Sequence, residues 1–232
     1  MSEMVIERNL LISILKLTKT GPVQRELVSR EARVPVQVVD KMLKKLSDTG
    51  FIQDDDQFIE MSSNQRVVMA VKAVELGADP ERVCRVLEWD EFEEITAQAF
   101  EANNFTVKKR LRFKGAGRRW EMDVLGCKEP LVACVDCKHW RRGWRRSAIM
   151  KIVEAQVERT KALAEALPSL HEKAGLVNWK KATLVPMVLS LIPSPFKFYN
   201  NVPIVPVLQL PNFLNELPAY TISLTRFHAH IT

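Results

Sequence analysis

WEMDVLGCKEPLVACVDCKH, residues 120–139, divides into two largely apolar runs around Cys127-Lys128-Glu129-Pro130. The runs 120–126 and 131–138 predict two strands joined by a short turn. Side chains two apart on a strand share a face, so Asp136 and Lys138 point the same way. Asp123, on the neighbouring strand, can reach the same point in space. Two carboxylates and an ammonium there suit Mg²⁺-assisted phosphodiester hydrolysis. The acids are hard oxygen ligands, and a bound metal polarises the phosphate and lowers the pKa of a bound water. The lysine positions that water or steadies the developing charge. Glu121 shares a face with Asp123 under strict alternation, as an auxiliary ligand or as a partner for Arg118 or Arg119.

Outward from this hairpin the pattern is mixed. Residues 90–102 predict a helix with Phe92, Ile95, Ala99 and Phe100 inward, and 105–113 a strand. After the hairpin, 148–167 predict a long helix with Ile149, Val153, Thr160, Leu163 and Leu167 on one face. The continuous apolar run 182–192 suits a buried strand; 202–208 is another strand and 211–217 a short helix. The expected fold class is α/β, a mixed sheet flanked by helices. Upstream, residues 8–61 read as three helices and a hairpin. Leu10, Leu11, Ile14 and Leu15 recur in the first helix, Pro35 opens the third, and FIQDDDQFIEM turns on acids. Residues 62–88 read as a helical linker. The expected division is therefore 1–61, 62–88 and 89–232.

The arrangement D-(x)n-(D/E)-x-K across a hairpin resembles the PD-(D/E)xK, restriction-endonuclease-like nuclease superfamily. Within it, the likeness is to Mrr-type restriction domains and archaeal Holliday-junction resolvases. It runs from about Trp89 to Leu217 through WDEFEEITAQAFEANNFTV, VDCKHW and NVPIVPVLQLPNFL. The resemblance implies a DNA endonuclease using Mg²⁺, for which Mn²⁺ substitutes. It carries the catalytic roles onto Glu93, Asp123, Asp136 and Lys138, with Gln156 on the following helix, and the metal onto Asp123, Asp136 and Glu93. A homodimer is the family's usual means of cutting both strands. Two departures stand out: no glycine precedes Asp123 in WEMDV, and Asp136 stands where most relatives carry Glu. Plainer readings remain open beside these. Glu93, three after Asp90, also suits a helix capping box, and a lone helical Gln156 also suits solvent. A DNA-binding or scaffold protein with an inactive nuclease-like domain is the alternative function.

Residues 1–61 resemble winged-helix domains. The third helix begins PVQVVD without a base-reading arginine, and the hairpin tip is Asp54-Asp55-Asp56, which phosphates repel. A DNA grip and a dimerisation or docking module both remain open.

Charge is distributed unevenly. The 232-residue chain has a net charge of +6. Seven Lys/Arg fall in 108–120 and six in 138–151, with no acid in either window, so the rest of the chain is net negative. Concentrated basic charge is a footprint for a polyanion, beside the plainer reading of a solvated surface. DNA contacts are expected at Lys114, Arg118, Arg119, Arg141, Arg142, Arg145 and Arg146. Trp140 and Trp144, interleaved with the arginines, suit backbone gripping and base stacking, and core packing explains the tryptophans equally well. No apolar run is long enough to span a membrane and no signal pattern opens the chain, which predicts a cytoplasmic protein with reduced thiols. Cys127, Cys134, Cys137 and His139 have a zinc-like spacing, but on a strand Cys134 and Cys137 face opposite sides, which argues against zinc.

Overall fold

Leu10, Leu11, Ile14 and Leu15, spaced to form one stripe of a helix, are fully buried along α1 (Glu3–Leu17). The computed structural model describes residues 3–55, 57–138, 146–191 and 193–231, with the backbone alone at 80, 81 and 84. His139 and the expected DNA contacts Trp140, Arg141, Arg142, Trp144 and Arg145 lie outside the described residues. The chain divides into two compact units, one up to Ile95 and one from Thr96 onwards.

In the first unit, α1 is followed by β1 (Val23–Gln24), α2 (Arg25–Ala32) and α3 (Val36–Asp48). The strands β2 (Gln53–Asp54) and β3 (Phe58–Glu60) complete a small antiparallel sheet of order β1-β3-β2. Two acids of the turn are engaged locally. Both Asp54 oxygens accept from Arg25 Nη2, at 2.6 and 2.7 Å. Asp55 accepts the backbone N–H groups of Gln57 and Phe58, which hold its carboxyl below the usual range. On α3, Val36 and Val38 are exposed.

The segment expected as a linker folds into α4 (Ser63–Glu75) and α5 (Pro80–Val86), and both pack on α1. Ser62 and Gln65 cap α4 reciprocally, and Val67, Met69, Ala70 and Ala73 are fully buried. Buried Arg66 ties the unit together. It donates to Leu15 O at 2.8 Å, Thr18 Oγ1 at 2.7 Å, Val86 O at 2.8 Å and the Glu91 carboxylate. A buried guanidinium needs its donors satisfied, so these helices are a core rather than a tether.

The helix α6 (Trp89–Ala102) starts in the first unit and ends in the second. Next come β4 (Thr106–Gly115), β5 (Arg118–Lys128), β6 (Leu131–Lys138), α7 (Arg146–Leu170) and β7 (Lys181–Ser190). The chain ends with β8 (Phe198–Tyr199), β9 (Val202–Pro206), α8 (Leu210–Tyr220) and β10 (Phe227–His230). The sheet order is β4-β5-β6-β7-β9-β8, with β10 beside β7. Pairing is antiparallel from β4 to β6 and parallel through β6, β7 and β9, a mixed sheet flanked by helices. The central strand β6 is buried from Leu131 to Cys137, as a strand covered on both faces must be.

On one face α7 lays Leu163 and Leu167 against Leu111, Leu125, Val132 and Cys134. On the other, Phe100 of α6 lies on the backbone of Gly126, where an added Cβ would stand 2.3 Å from the ring. Strands β8 and β10 were not expected. In FHAH of β10 only Ala229 is buried, leaving too weak an alternation to read. Among the described residues no helix is long and apolar enough to cross a membrane.

Candidate functional site

The β5–β6 ladder runs from Lys128↔Leu131 to Val124↔Val135. One further step of that register sets Asp123 across from Asp136. There the strands part, and Asp123 Oδ2 accepts the Cys137 backbone N–H at 2.8 Å. The cause is a slip in the pleat. Met122, Leu125 and Cys127 belong to one core cluster, which strict alternation forbids. On β4 the opposite residue, Arg110, drops out of the pairing and takes φ +52°. The first acid thus occupies an irregular position that both strands share.

Asp136 keeps the parity of Val132 and Cys134, and so faces α7. It is 2% exposed. Lys138 Nζ lies 3.0 and 2.9 Å from its two oxygens, and Arg159 Nη1 donates to Oδ1 at 2.6 Å. Arg159 is held in turn by Gln156, whose Oε1 accepts from Nη1 at 2.8 Å. Gln156 is fully buried and donates through Nε2 to Cys134 O at 2.7 Å, so helix and central strand are joined by a side-chain amide. The exposed alternative for Gln156 therefore does not hold.

Burial, and then the charge of Asp136, push the Asp123 carboxyl up to about 6. The Cys137 N–H, Lys138 and Arg159 act against that rise. A carboxylate pair made costly by burial is relieved by a divalent cation, and carboxylate oxygens are the donors Mg²⁺ prefers. Mg²⁺ usually takes one or two protein carboxylates and completes its shell with water and phosphate oxygens, so this pair fits it. Among the described residues no group of three His, Cys, Asp or Glu is gathered to hold a metal. Cys127, Cys134 and Cys137 are free and buried. Burial pushes the Cys127 thiol up to about 12 and that of Cys134 higher still, leaving neutral thiols in place of zinc-binding thiolates. Cys137 meets Thr96 on the sheet face opposite Cys134.

Glu93 belongs to the first unit, where it is buried and its carboxylate accepts the Trp89 indole N–H. The acid that reaches back to the chain before α6 is Glu91, which accepts Glu88 N at 2.7 Å. Glu121 pairs with Arg112 of β4 at 2.7 Å, and the slip at Asp123 removes it from the face of that acid. Among the expected DNA contacts, Lys114, Arg119 and Arg146 are exposed. Arg118 stacks on Trp120, 3.5 Å from the ring centroid, and pairs with Glu158 at 2.8 Å. Lys114, Arg119, Arg112 and Lys173 line a cleft of about 860 Å³ beside Trp120.

Arg159 is the residue that sequence reasoning missed. Its one signal was its place a single helical turn after Gln156, on the same side of α7.

No family model matches the chain. An "Uncharacterized protein" of Archaeoglobus fulgidus is 30% identical over 134 residues, which are 58% of this chain and 95% of that protein. Among solved structures, protein VC1899 from Vibrio cholerae aligns with 96% of this chain and 58% of that one, at 12% identity and a TM-score of 0.36. Restriction endonuclease FokI aligns with 93% of this chain and 44% of that one, at 13% identity and a TM-score of 0.38.

Proposed function

The chain belongs to the same family as that Archaeoglobus fulgidus protein, whose name assigns no activity, and from the residues themselves we propose that it is a metal-dependent endonuclease acting on DNA. The support is one juxtaposition: Asp123 and Asp136 at the parting end of the β5–β6 ladder, with Lys138 and Arg159 against them. Asp123 and Asp136 would hold Mg²⁺, or Mn²⁺ in its place. The ion supplies Lewis acidity at the phosphate and a bound water of lowered pKa. Lys138 and Arg159 bring N–H donors to where negative charge grows on the phosphate oxygens. The exposed cations along β4 and β5 would carry the DNA backbone.

In this reading the catalytic domain is restriction-endonuclease-like and the protein works in the cytoplasm, as a homodimer where both strands are cut. The first unit is a winged-helix domain that docks a partner or a second copy. Exposed Val36 and Val38 on α3 favour that role over a grip on phosphates. The test is incubation with plasmid and branched DNA in Mg²⁺, in Mn²⁺ and with chelator. Metal-dependent cleavage that Asp123→Ala abolishes supports the proposal, and no cleavage on any substrate overturns it.

One observation favours a second reading, a DNA-binding scaffold without catalysis. Both Asp136 oxygens are already engaged by cations of the chain itself. That reading expects DNA binding indifferent to Mg²⁺.

A further inference from the structure

Asp136 is 2% exposed, and its two oxygens are taken up by Lys138 and Arg159. Asp123, Asp136, Lys138 and Arg159 together carry two charges of each sign, so the resting cluster is close to neutral. Adding a divalent cation alone would leave a net charge of about +2 in a largely buried site, which a low-dielectric setting resists. Adding a phosphodiester with the cation halves that excess. The guanidinium is built for such an exchange. Both hydrogens of Nη1 are used, one on Asp136 Oδ1 at 2.6 Å and one on Gln156 Oε1 at 2.8 Å. The opposite edge of the fork, Nη2 and Nε, has no partner among the described residues, and the side chain is 19% exposed. That edge matches two oxygens of a phosphate.

We propose that Arg159 is a latch on Asp136, which a nucleic-acid phosphate draws away so that the carboxylate becomes a metal ligand only when substrate is present. The inference rests on the nuclease reading and adds regulation to the same site: divalent cation and DNA bind cooperatively, with Arg159 as the coupling element. Gln156 stays on Cys134 O throughout and keeps the guanidinium within reach of both positions. Coupling of this kind is reciprocal, so it can be read from either ligand.

The experiment measures Mn²⁺ binding to the full chain by calorimetry, with and without a duplex whose phosphorothioate linkages resist cleavage. The wild-type protein is expected to bind Mn²⁺ at least tenfold more tightly with the duplex present. Arg159→Ala is expected to bind Mn²⁺ alone more tightly than wild type and to lose most of the enhancement by DNA. Arg159→Gln, which removes the charge and the reach to Asp136 but keeps a polar side chain on α7, should do the same, and it serves if the alanine variant fails to fold. Equal Mn²⁺ affinity with and without duplex, weaker Mn²⁺ binding by both variants, or no Mn²⁺ binding in either state overturns the latch. Because the readout needs no turnover, a wild-type protein that cuts nothing sinks the nuclease reading, while the coupling still decides the latch.

Discussion

One step beyond the β5–β6 ladder the register sets Asp123 across from Asp136, and burial, then the charge of the second, raises the proton affinity of the first. The Asp123 carboxyl titrates at about 6 in the fold against 3.8 for an ordinary aspartate. Between those values the folded state holds a proton that the unfolded state has lost. Stability from this group is therefore full below about pH 4 and falls as pH rises through 6. The displacement is worth at most about 3 kcal/mol, and roughly 1–2 kcal/mol once solvent screening is allowed for. Asp123→Asn is expected to melt higher than wild type at pH 8 and level with it at pH 4. Thermal melts of both proteins at the two pH values, in chelator, make the comparison. A variant no more stable than wild type at pH 8 would show that Asp123 bears no such burden.

Asp136 should behave in the opposite way. Its removal leaves the Lys138 and Arg159 cations without their shared partner. Breaking a buried pair typically costs about 3–5 kcal/mol, and the partial exposure of both cations places Asp136→Ala at the low end. Denaturant midpoints at pH 7 measure this. A loss below about 1 kcal/mol would mean that both cations find solvent freely.

Gln156→Leu removes the side-chain donor to Cys134 O and the acceptor that orients Arg159. Leaving buried polar atoms short of a partner costs about 1–3 kcal/mol. Urea unfolding should show that loss. The same variant should cut DNA more slowly than a surface control destabilised by as much, because Arg159 loses one of its two partners. Equal rates would confine Gln156 to holding the fold.

Much of this was readable from spacing. Asp136 and Lys138 share a face because strand geometry leaves no alternative, and the opposed faces of Cys134 and Cys137 follow from the same rule. The slip at Asp123 was not readable. Alternation around Met122 continues smoothly in the sequence, and the slip coincides with a gap in the pairing to β4, a separate strand. Arg159 was hidden for a related reason. An arginine among Glu154, Glu158 and Lys161 looks like part of a solvated helix face, and only the docking of α7 shows which side meets β6. The segment 62–88 reads as a linker because the acceptors of Arg66 come from Leu15, Thr18 and Val86, which no local pattern connects.

Gly126→Ala should destabilise the second unit. A Cβ there would meet Phe100 at 2.3 Å, closer than packing allows, and the ring can move only by disturbing α6. Overpacking of this kind costs about 1–3 kcal/mol. Phe100→Leu in the same chain is expected to restore part of the loss. The double-mutant cycle reads the coupling, and additive effects would place the strain elsewhere.

Replacing Lys114, Arg119 and Lys173 together by alanine should weaken binding to every DNA sequence alike. It should also flatten the salt dependence by about 0.9 in slope for each phosphate no longer neutralised. Fluorescence anisotropy across a salt series gives both quantities. An unchanged slope would show that the cleft beside Trp120 carries no backbone.

The strand β4 ends its sheet, and Lys108, Lys109, Arg110, Arg112 and Lys114 stand exposed along it. An outermost strand is an open invitation to another copy of itself, since its backbone groups are a template for one more strand. Here any copy would bring the same row of cations against its twin, so edge-to-edge growth of the sheet is repelled by like charge. A polyanion lying along the row would cancel that repulsion. The side chains that would keep copies apart are therefore those that the proposed reading assigns to the DNA backbone, and the two effects would vary in opposite directions as the row is filled.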